Sequence, residues 1–341
     1  MSYKYILKIA FIYTGTILGA GFATGKELVT FFASFSNKGL ISFFISCFLL
    51  SLTCVAILDS LYKIKVNTYS EFISILFGKF GKYIEYFNLS LLFILFSAML
   101  SGGGATIANT FNINENLSIL IFCIITFVAL IYGKEAIVNI NTFLCPILIL
   151  GGVLIGIYLY FFKTETVFNN TTKAIISPFV YTSYNAITTI SVLFTIKDMV
   201  ISRKVVYLSS ILAGLFIFII GIFMLLPLIK NYNNIYNSSL PILTLISSEN
   251  IIKNIYSFTV LAAIFTTAVS NGVALENSFK EKFNINKKLL NIVILIVGVG
   301  FSLMGFSNIV SIVYPIFGLI GMFEILVILI GFLTLNQGID K

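Results

Sequence analysis

Four glycines and two adjacent charges fall within one apolar stretch, TGTILGAGFATGKEL at residues 14–28. Glycine weakens a helix, and charged groups are costly at membrane depth. A break in a helix frees N–H groups, which suit an anionic ligand, and carbonyl groups, which suit a cation. The stretch therefore predicts a broken helix with a site for both kinds of group. The residues concerned are Gly15, Gly19, Gly21, Gly25, Lys26 and Glu27.

Backbone atoms are the expected ligands at this break. We expect the carbonyls of residues 15–18 to end the first half-helix and the amides of residues 20–23 to begin the second. The alternative interpretation is that Gly15 and Gly19 form a G-x-x-x-G pair, which only lets two helices approach closely.

The composition is that of a helical membrane protein. Of 341 residues, 59% are hydrophobic and only 10% are charged, with a mean hydropathy of +1.05. Soluble domains carry about a quarter charged residues. The apolar runs are long and continuous, and at about 20 residues per span they predict ten transmembrane helices. The predicted spans are 5–36, 39–62, 83–110, 117–133, 142–162, 173–202, 204–228, 252–277, 288–304 and 308–333.

The placement of charge predicts the orientation. With the N-terminus inside, most of the 21 Lys and Arg fall in inner loops, as expected for a bacterial cytoplasmic membrane with both termini cytoplasmic. The net charge of +8 therefore needs no nucleic-acid partner. There is no His, and the four Cys lack metal-type spacing, so no cofactor is expected. The sequence carries no signal for an oligomeric state.

A second long segment, 173–202, has a polar middle at 177–191, SPFVYTSYNAITTIS. The chain then divides into halves 1–162 and 173–333, each with five spans and a discontinuous first helix. Because five is odd, the second half is inverted, and the two halves form one transmembrane domain. Matching interfacial stretches are expected at 66–84 and 234–250.

The segment GTILGAGFATGKEL resembles the first-helix signature of the YkvI family of bacterial membrane proteins. It also resembles the unwound G-x-G motif of the amino acid–polyamine–organocation superfamily, which has the leucine-transporter fold. The resemblance implies alternating-access transport of an amino acid held between helices 1, 3, 6 and 8, with its carboxylate on the first-helix amides. The residues expected to bind the substrate are Gly19, Ala20, Gly21, Phe22, Ala23, Gly103, Tyr181, Tyr184, Asn185 and Thr188.

The resemblance further implies a sodium ion between helix 1 carbonyls and helix 8 hydroxyls. Ala263, Thr266 and Thr267 share one helix face, and their oxygens are hard ligands that suit an alkali cation. The carbonyls of Gly15 and Leu18 would match the helix 1 contribution. Proton-coupled relatives place a Lys from helix 5 there, and the middle of span 5 has none, which favours sodium. The alternative is that these threonines bond back to their own helix.

Three charged residues, Lys26, Glu27 and Glu324, fall inside predicted spans. Three roles remain open. Lys26 and Glu324 can form an ion pair that closes the outer side. Glu27 or Glu324 can carry a proton or cation with Lys26 as its counter-charge. The charges can also form a static pair that fixes helix packing.

The expected function is sodium-coupled secondary transport of a small amino-acid-like substrate. The alternatives are a proton-coupled transporter and a non-transporting ligand sensor, since spore-germinant receptor subunits share this fold. An enzyme is not expected, because neither imidazole chemistry nor a nucleotide-binding motif is present.

Overall fold

The computed structural model describes residues 2–163, 174–246, 250–283 and 285–337, and this part of the chain is all-helical. The helices are α1 (Ser2–Ile17), α2 (Ala20–Ala23), α3 (Lys26–Phe31), α4 (Asn37–Lys63), α5 (Tyr69–Phe77), α6 (Gly81–Phe111), α7 (Glu115–Ile131), α8 (Lys134–Phe162), α9 (Ser177–Thr195), α10 (Arg203–Lys230), α11 (Tyr232–Ile235), α12 (Pro241–Leu245), α13 (Asn250–Phe283), α14 (Lys287–Ser302), α15 (Phe306–Asn308) and α16 (Tyr314–Gln337).

Within the described residues, six helical segments are long and apolar enough to cross a membrane. They contain α4, α6, α8, α10, α13 and α16. The other four predicted spans are occupied by helices that are shorter or more polar, namely α1 with α2 and α3, α7, α9 and α14. The number ten therefore stays a prediction, as does the division into 1–162 and 173–333, whose residue 173 lies outside the described residues.

The first predicted span is broken, as its glycines indicate. Its i→i−4 ladder ends with the Leu18 N–H donating to the Thr14 carbonyl at 2.8 Å. Gly19 is extended, with φ −72° and ψ −164°, and α2 has only four residues. A second interruption follows at Gly25, whose φ of +84° is a conformation that favours glycine. The span is thus three helical pieces rather than the two that we expected.

The predicted break in the sixth span is wrong, because α9 is continuous from Ser177 to Thr195. Several of its polar side chains bond to carbonyls of their own helix instead of marking freed backbone. The Thr182 hydroxyl donates to Pro178 O at 2.7 Å, and the Asn185 amide donates to Tyr181 O at 2.9 Å. Such back-bonding lets polar residues sit inside an intact helix. Regular helix ends only beyond Thr195, before a 3₁₀ turn at Lys197–Met199.

The broken helix lies in the middle of the bundle. α1 packs against α8, α9, α10 and α13, and α2 packs mainly against α13. We call the end of the bundle at which α1 begins the N-face and the other end the opposite face. The short helices α5 and α11–α12 occupy the predicted interfacial stretches, on the N-face and the opposite face respectively, although residues 247–249 lie outside the described part.

Candidate functional site

A cluster of oxygens joins the end of α1 to α13. The Thr267 hydroxyl donates to the Gly15 carbonyl at 2.9 Å, and the Thr266 hydroxyl lies 3.3 Å from the same oxygen. Thr266 also lies 2.8 Å from the Ala263 carbonyl. Four of the five residues predicted to hold a cation are therefore brought together. The Thr267 hydroxyl is directed to Gly15, whereas the shorter hydrogen bond of Thr266 stays within its own helix, as the alternative interpretation expected. Neither hydroxyl is bonded to Leu18, whose role stays a prediction.

Asn141 of α8 lies beside this cluster and was not anticipated from the sequence. A Cβ atom on Gly15 would be 2.1 Å from Asn141 Oδ1, so glycine is needed for this approach. The Asn141 amide donates to Ile137 O at 2.8 Å and to Ser270 Oγ at 3.2 Å. Asn141 Oδ1 is buried without a hydrogen-bond partner among the described residues. It is a further hard oxygen beside the residues predicted to hold a cation. The available signal was an amide side chain directly before the apolar run of the predicted span 142–162.

The amide groups at the start of α2 are less accessible to a ligand than expected. The Ala20 N–H donates to the Met99 sulfur at 3.4 Å, so a side chain of α6 already covers the first amide of α2. A Cβ on Gly102 would lie 3.1 Å from Ala20, and this close approach brings α6 against the break. A four-residue helix also develops little of the macrodipole that would attract an anion.

The Glu27 carboxylate occupies the space beside Gly21. A Cβ on Gly21 would lie 2.1 Å from Glu27 Oε1, and the other carboxylate oxygen accepts a 2.6 Å hydrogen bond from the Tyr184 hydroxyl. Glu27 is 3% exposed. Among the described residues, no Lys or Arg lies within ion-pair distance of it. The break therefore contains an acidic side chain of the protein itself.

Aromatic rings surround this carboxylate. The Tyr184 ring lies 4.9 Å from the Tyr314 ring, 5.5 Å from Tyr181 and 5.6 Å from Phe31, measured between centroids. Tyr181 and Tyr314 are close enough to Glu27 for electrostatic interaction. Their hydroxyls are buried and have no hydrogen-bond partner among the described residues. Glu27 thus lies among three tyrosines, of which Tyr184 donates to it and the other two have hydroxyls without a described partner.

Lys26 is directed away from Glu27, to the opposite face. Its ammonium group donates to Ser238 O at 3.0 Å and to Tyr236 O at 3.4 Å, both in the segment between α11 and α12. In the same region Ile242 N donates to Thr24 O at 3.0 Å. The loop carrying α11 and α12 is therefore attached directly to the broken helix.

The predicted ion pair between Lys26 and Glu324 does not form, because loop carbonyls already accept from Lys26. Glu324 is 2% exposed, and both its oxygens lack a hydrogen-bond partner within the described chain. It lies near Tyr69 and Asn88, toward the N-face, and not at the tyrosine cluster. A static pair of Lys26 and Glu324 is therefore absent from this arrangement, and a gating role for either residue stays a prediction.

Four further predicted residues lie in different surroundings. A Cβ on Gly103 would lie 2.7 Å from the Phe122 ring of α7, so Gly103 is a helix-packing position rather than a ligand contact. Phe22 packs toward Phe43 of α4, with ring centroids 6.4 Å apart. The Thr188 hydroxyl donates within its own helix, to Asn185 O at 2.8 Å. Ala23 lies at the break, where its carbonyl accepts a 2.6 Å hydrogen bond from the Tyr256 hydroxyl.

Comparison with known proteins finds two similar sequences from Bacillus subtilis (strain 168). The uncharacterized membrane protein YkvI is 25% identical over 322 residues, which cover 92% of each chain. The uncharacterized protein YyaD is 22% identical over 337 residues, covering 97% of this chain and 98% of the relative. No protein-family model matches the chain.

Solved structures with the same fold are transporters of the leucine-transporter class. Mhp1, a nucleobase-cation-symport-1 family transporter with bromovinylhydantoin bound, aligns with TM-score 0.70 and 16% identity over 92% of this chain and 74% of its own. MhsT in complex with L-phenylalanine aligns with TM-score 0.71 and 16% identity over 94% and 87%. A Na⁺-coupled sialic acid symporter aligns with TM-score 0.64 and 16% identity over 93% and 75%. The chain is thus a multi-pass membrane protein with a transporter fold.

Proposed function

We propose that this protein is a secondary transporter that moves a small amino-acid-like molecule together with sodium by alternating access. The observation that carries the proposal is the convergence of the Thr266 and Thr267 hydroxyls on the Gly15 carbonyl, where the first helix breaks. Hard oxygens at a helix C-terminal end suit an alkali cation. The likeness to a Na⁺-coupled symporter and to a transporter bound to an amino acid supports the same assignment.

Closure at both faces supports alternating access. On the opposite face, Lys26 and Thr24 hold the loop of α11 and α12. On the N-face, Lys197 donates to the carbonyls of Val66 and Asn67, the latter at 3.1 Å. The buried residues at the break lie between these two closures, so a ligand reaches them only when one closure opens. We assign the N-face to the cytoplasm of a bacterial inner membrane.

The test begins with sodium alone. Purified protein is melted in sodium chloride and in potassium chloride of equal strength. A cation that binds only the folded state at 100 times its dissociation constant stabilises it by about 2.7 kcal/mol. We expect sodium to raise the melting temperature of the native protein and of Thr126→Ala, but not of Thr267→Ala.

Thr126 is a matched control because its buried hydroxyl donates only within α7, to Phe122 O at 2.8 Å. Equal sodium responses in the two variants would overturn the cation assignment. Proteoliposomes with an inward sodium gradient then test transport with a ligand that binds. Accumulation above equilibrium supports the transporter, and sodium-dependent binding without uptake indicates a ligand sensor.

A proton is the second candidate for the coupling ion. The specific observation is that Glu27 is buried without an ion-pair partner in the described residues. A carboxylate in this position is able to take up and release a proton. Uptake driven by a proton gradient in sodium-free vesicles, and lost in Glu27→Gln, would favour this candidate over sodium.

A further inference from the structure

We propose that Glu27 and the tyrosines around it bind an ammonium group, so that the transported molecules are small organic amines, including amino acids. A molecule with a carboxylate and no amine would then be excluded. The proposal rests on the transport function above and names the chemical class of its substrate.

The first argument is charge. The Glu27 carboxylate is almost fully buried, and its one described hydrogen-bond donor is the neutral Tyr184 hydroxyl. Its sequence neighbour Lys26 is directed to loop carbonyls and does not neutralise it. A buried carboxylate is stable when a cation accompanies it. A ligand ammonium group supplies that cation at the place where the helix breaks.

The second argument is the chemistry of the surrounding side chains. The rings of Tyr181, Tyr184 and Tyr314 lie close together beside Glu27, and aromatic faces attract cations. The buried hydroxyls of Tyr181 and Tyr314 have no described partner, and their oxygens can accept hydrogen bonds. An ammonium group only donates. It therefore satisfies these acceptors and the carboxylate together.

The third argument concerns the other end of an amino acid. The sequence predicts that a substrate carboxylate binds the amides of α2. Instead, Met99 covers the Ala20 amide, and the Glu27 carboxylate lies against Gly21. A second carboxylate at this point would meet a like charge, which is unfavourable in a buried site. Recognition of the amine therefore dominates, and the carboxylate of an amino acid is not required.

The experiment uses ligand series that share a side chain and differ in charged groups. The aliphatic series is 3-methylbutylamine, leucine and 4-methylpentanoate. The aromatic series is 2-phenylethylamine, phenylalanine and 3-phenylpropanoate, and the small series is ethylamine, alanine and propanoate. Each compound is added at millimolar concentration to the purified protein in sodium chloride, and the melting temperature is measured. We expect a rise with the amine and the amino acid of at least one series, and none with any acid.

Single substitutions test whether the amine binds at Glu27. Glu27→Gln should weaken binding of the amine at least tenfold, and Tyr314→Phe should weaken it less, because one acceptor is lost and the ring remains. Glu324→Gln is the matched control, since Glu324 is equally buried and lies away from the tyrosines. A retained sodium response shows that each variant is folded.

Three results would each overturn the proposal: a response to any of the acids, no response to any amine or amino acid, or unchanged amine affinity in Glu27→Gln. Failure of transport is separable from these results. Amine binding without sodium-driven uptake would contradict the transport function and support the amine site. Sodium-driven uptake of an acid alone would support the transport function and contradict the amine site.

Discussion

The Tyr184 hydroxyl of α9 and the Glu27 carboxylate of α3 are joined by a 2.6 Å hydrogen bond across 157 residues of sequence. The bond connects the broken first helix to a continuous helix of the second half of the chain. Because the acceptor is a carboxylate, this hydrogen bond is of the short, strong kind. The position of α3 therefore depends on α9.

Replacing Tyr184 with Phe removes this bond and keeps the ring. We expect a loss of about 1.5–3 kcal/mol in the free energy of unfolding, the range for bonds to charged groups. Denaturant titration in detergent micelles measures it. Tyr13→Phe is the control, because the Tyr13 hydroxyl is also buried and donates to a neutral acceptor, Leu50 O at 2.8 Å. Its loss should be about 1 kcal/mol, and equal losses would contradict a bond to an ionised Glu27.

Gly21→Ala tests whether Glu27 needs the space beside the break. A Cβ at this position would lie 2.1 Å from Glu27 Oε1, so the carboxylate must move. Overpacking of this kind costs about 1–3 kcal/mol, and we expect transport to be abolished. Gly300→Ala is the control, since a Cβ there meets nothing within 4 Å and alanine favours the helix. A stable, active Gly21→Ala would contradict the described position of Glu27.

Lys26→Met keeps the length of the side chain and removes its bonds to the loop of α11 and α12. We expect faster amide hydrogen exchange in residues 232–245, because a local opening there loses two of the contacts that oppose it. Hydrogen exchange with mass spectrometry measures the rate. The control is Lys253→Met, since the Lys253 ammonium group makes an exposed 3.5 Å contact with Asn109 O, away from this loop. An unchanged exchange rate would show that Lys26 does not hold the loop.

Glu324→Gln should stabilise the protein. Both carboxylate oxygens are buried without described partners, and burial of an uncompensated charge is costly. A neutral side chain of the same size removes that cost, and we expect a gain of about 1 kcal/mol or more at alkaline pH, where the carboxyl group is ionised. Thermal melts of the single variant and of the double variant with Lys26→Met measure it. We expect the stability changes of the two single variants to add in the double variant. A non-additive change would indicate that Lys26 and Glu324 interact, as in the predicted ion pair.

The sequence predicts the broken first helix because glycine spacing acts through local backbone energetics. It does not predict that the sixth span is continuous. Polar residues such as Thr182 and Asn185 suggest a break in the helix, but their side chains bond to carbonyls of their own helix. The direction of Glu27 is also not readable from sequence, since it depends on a tyrosine far along the chain. Asn141 is not predicted because it falls one residue before the predicted span 142–162.

The helix α3 has six residues, and its first two are Lys26 and Glu27. One is attached to the loop that covers the opposite face, and the other to the tyrosines. A helix this short moves as one piece, so displacing either side chain displaces both. By thermodynamic reciprocity, a ligand at Glu27 and a binder of that loop must change each other's affinity by the same factor. An antibody fragment raised against residues 232–245 would then act as a modulator of substrate affinity without touching the substrate.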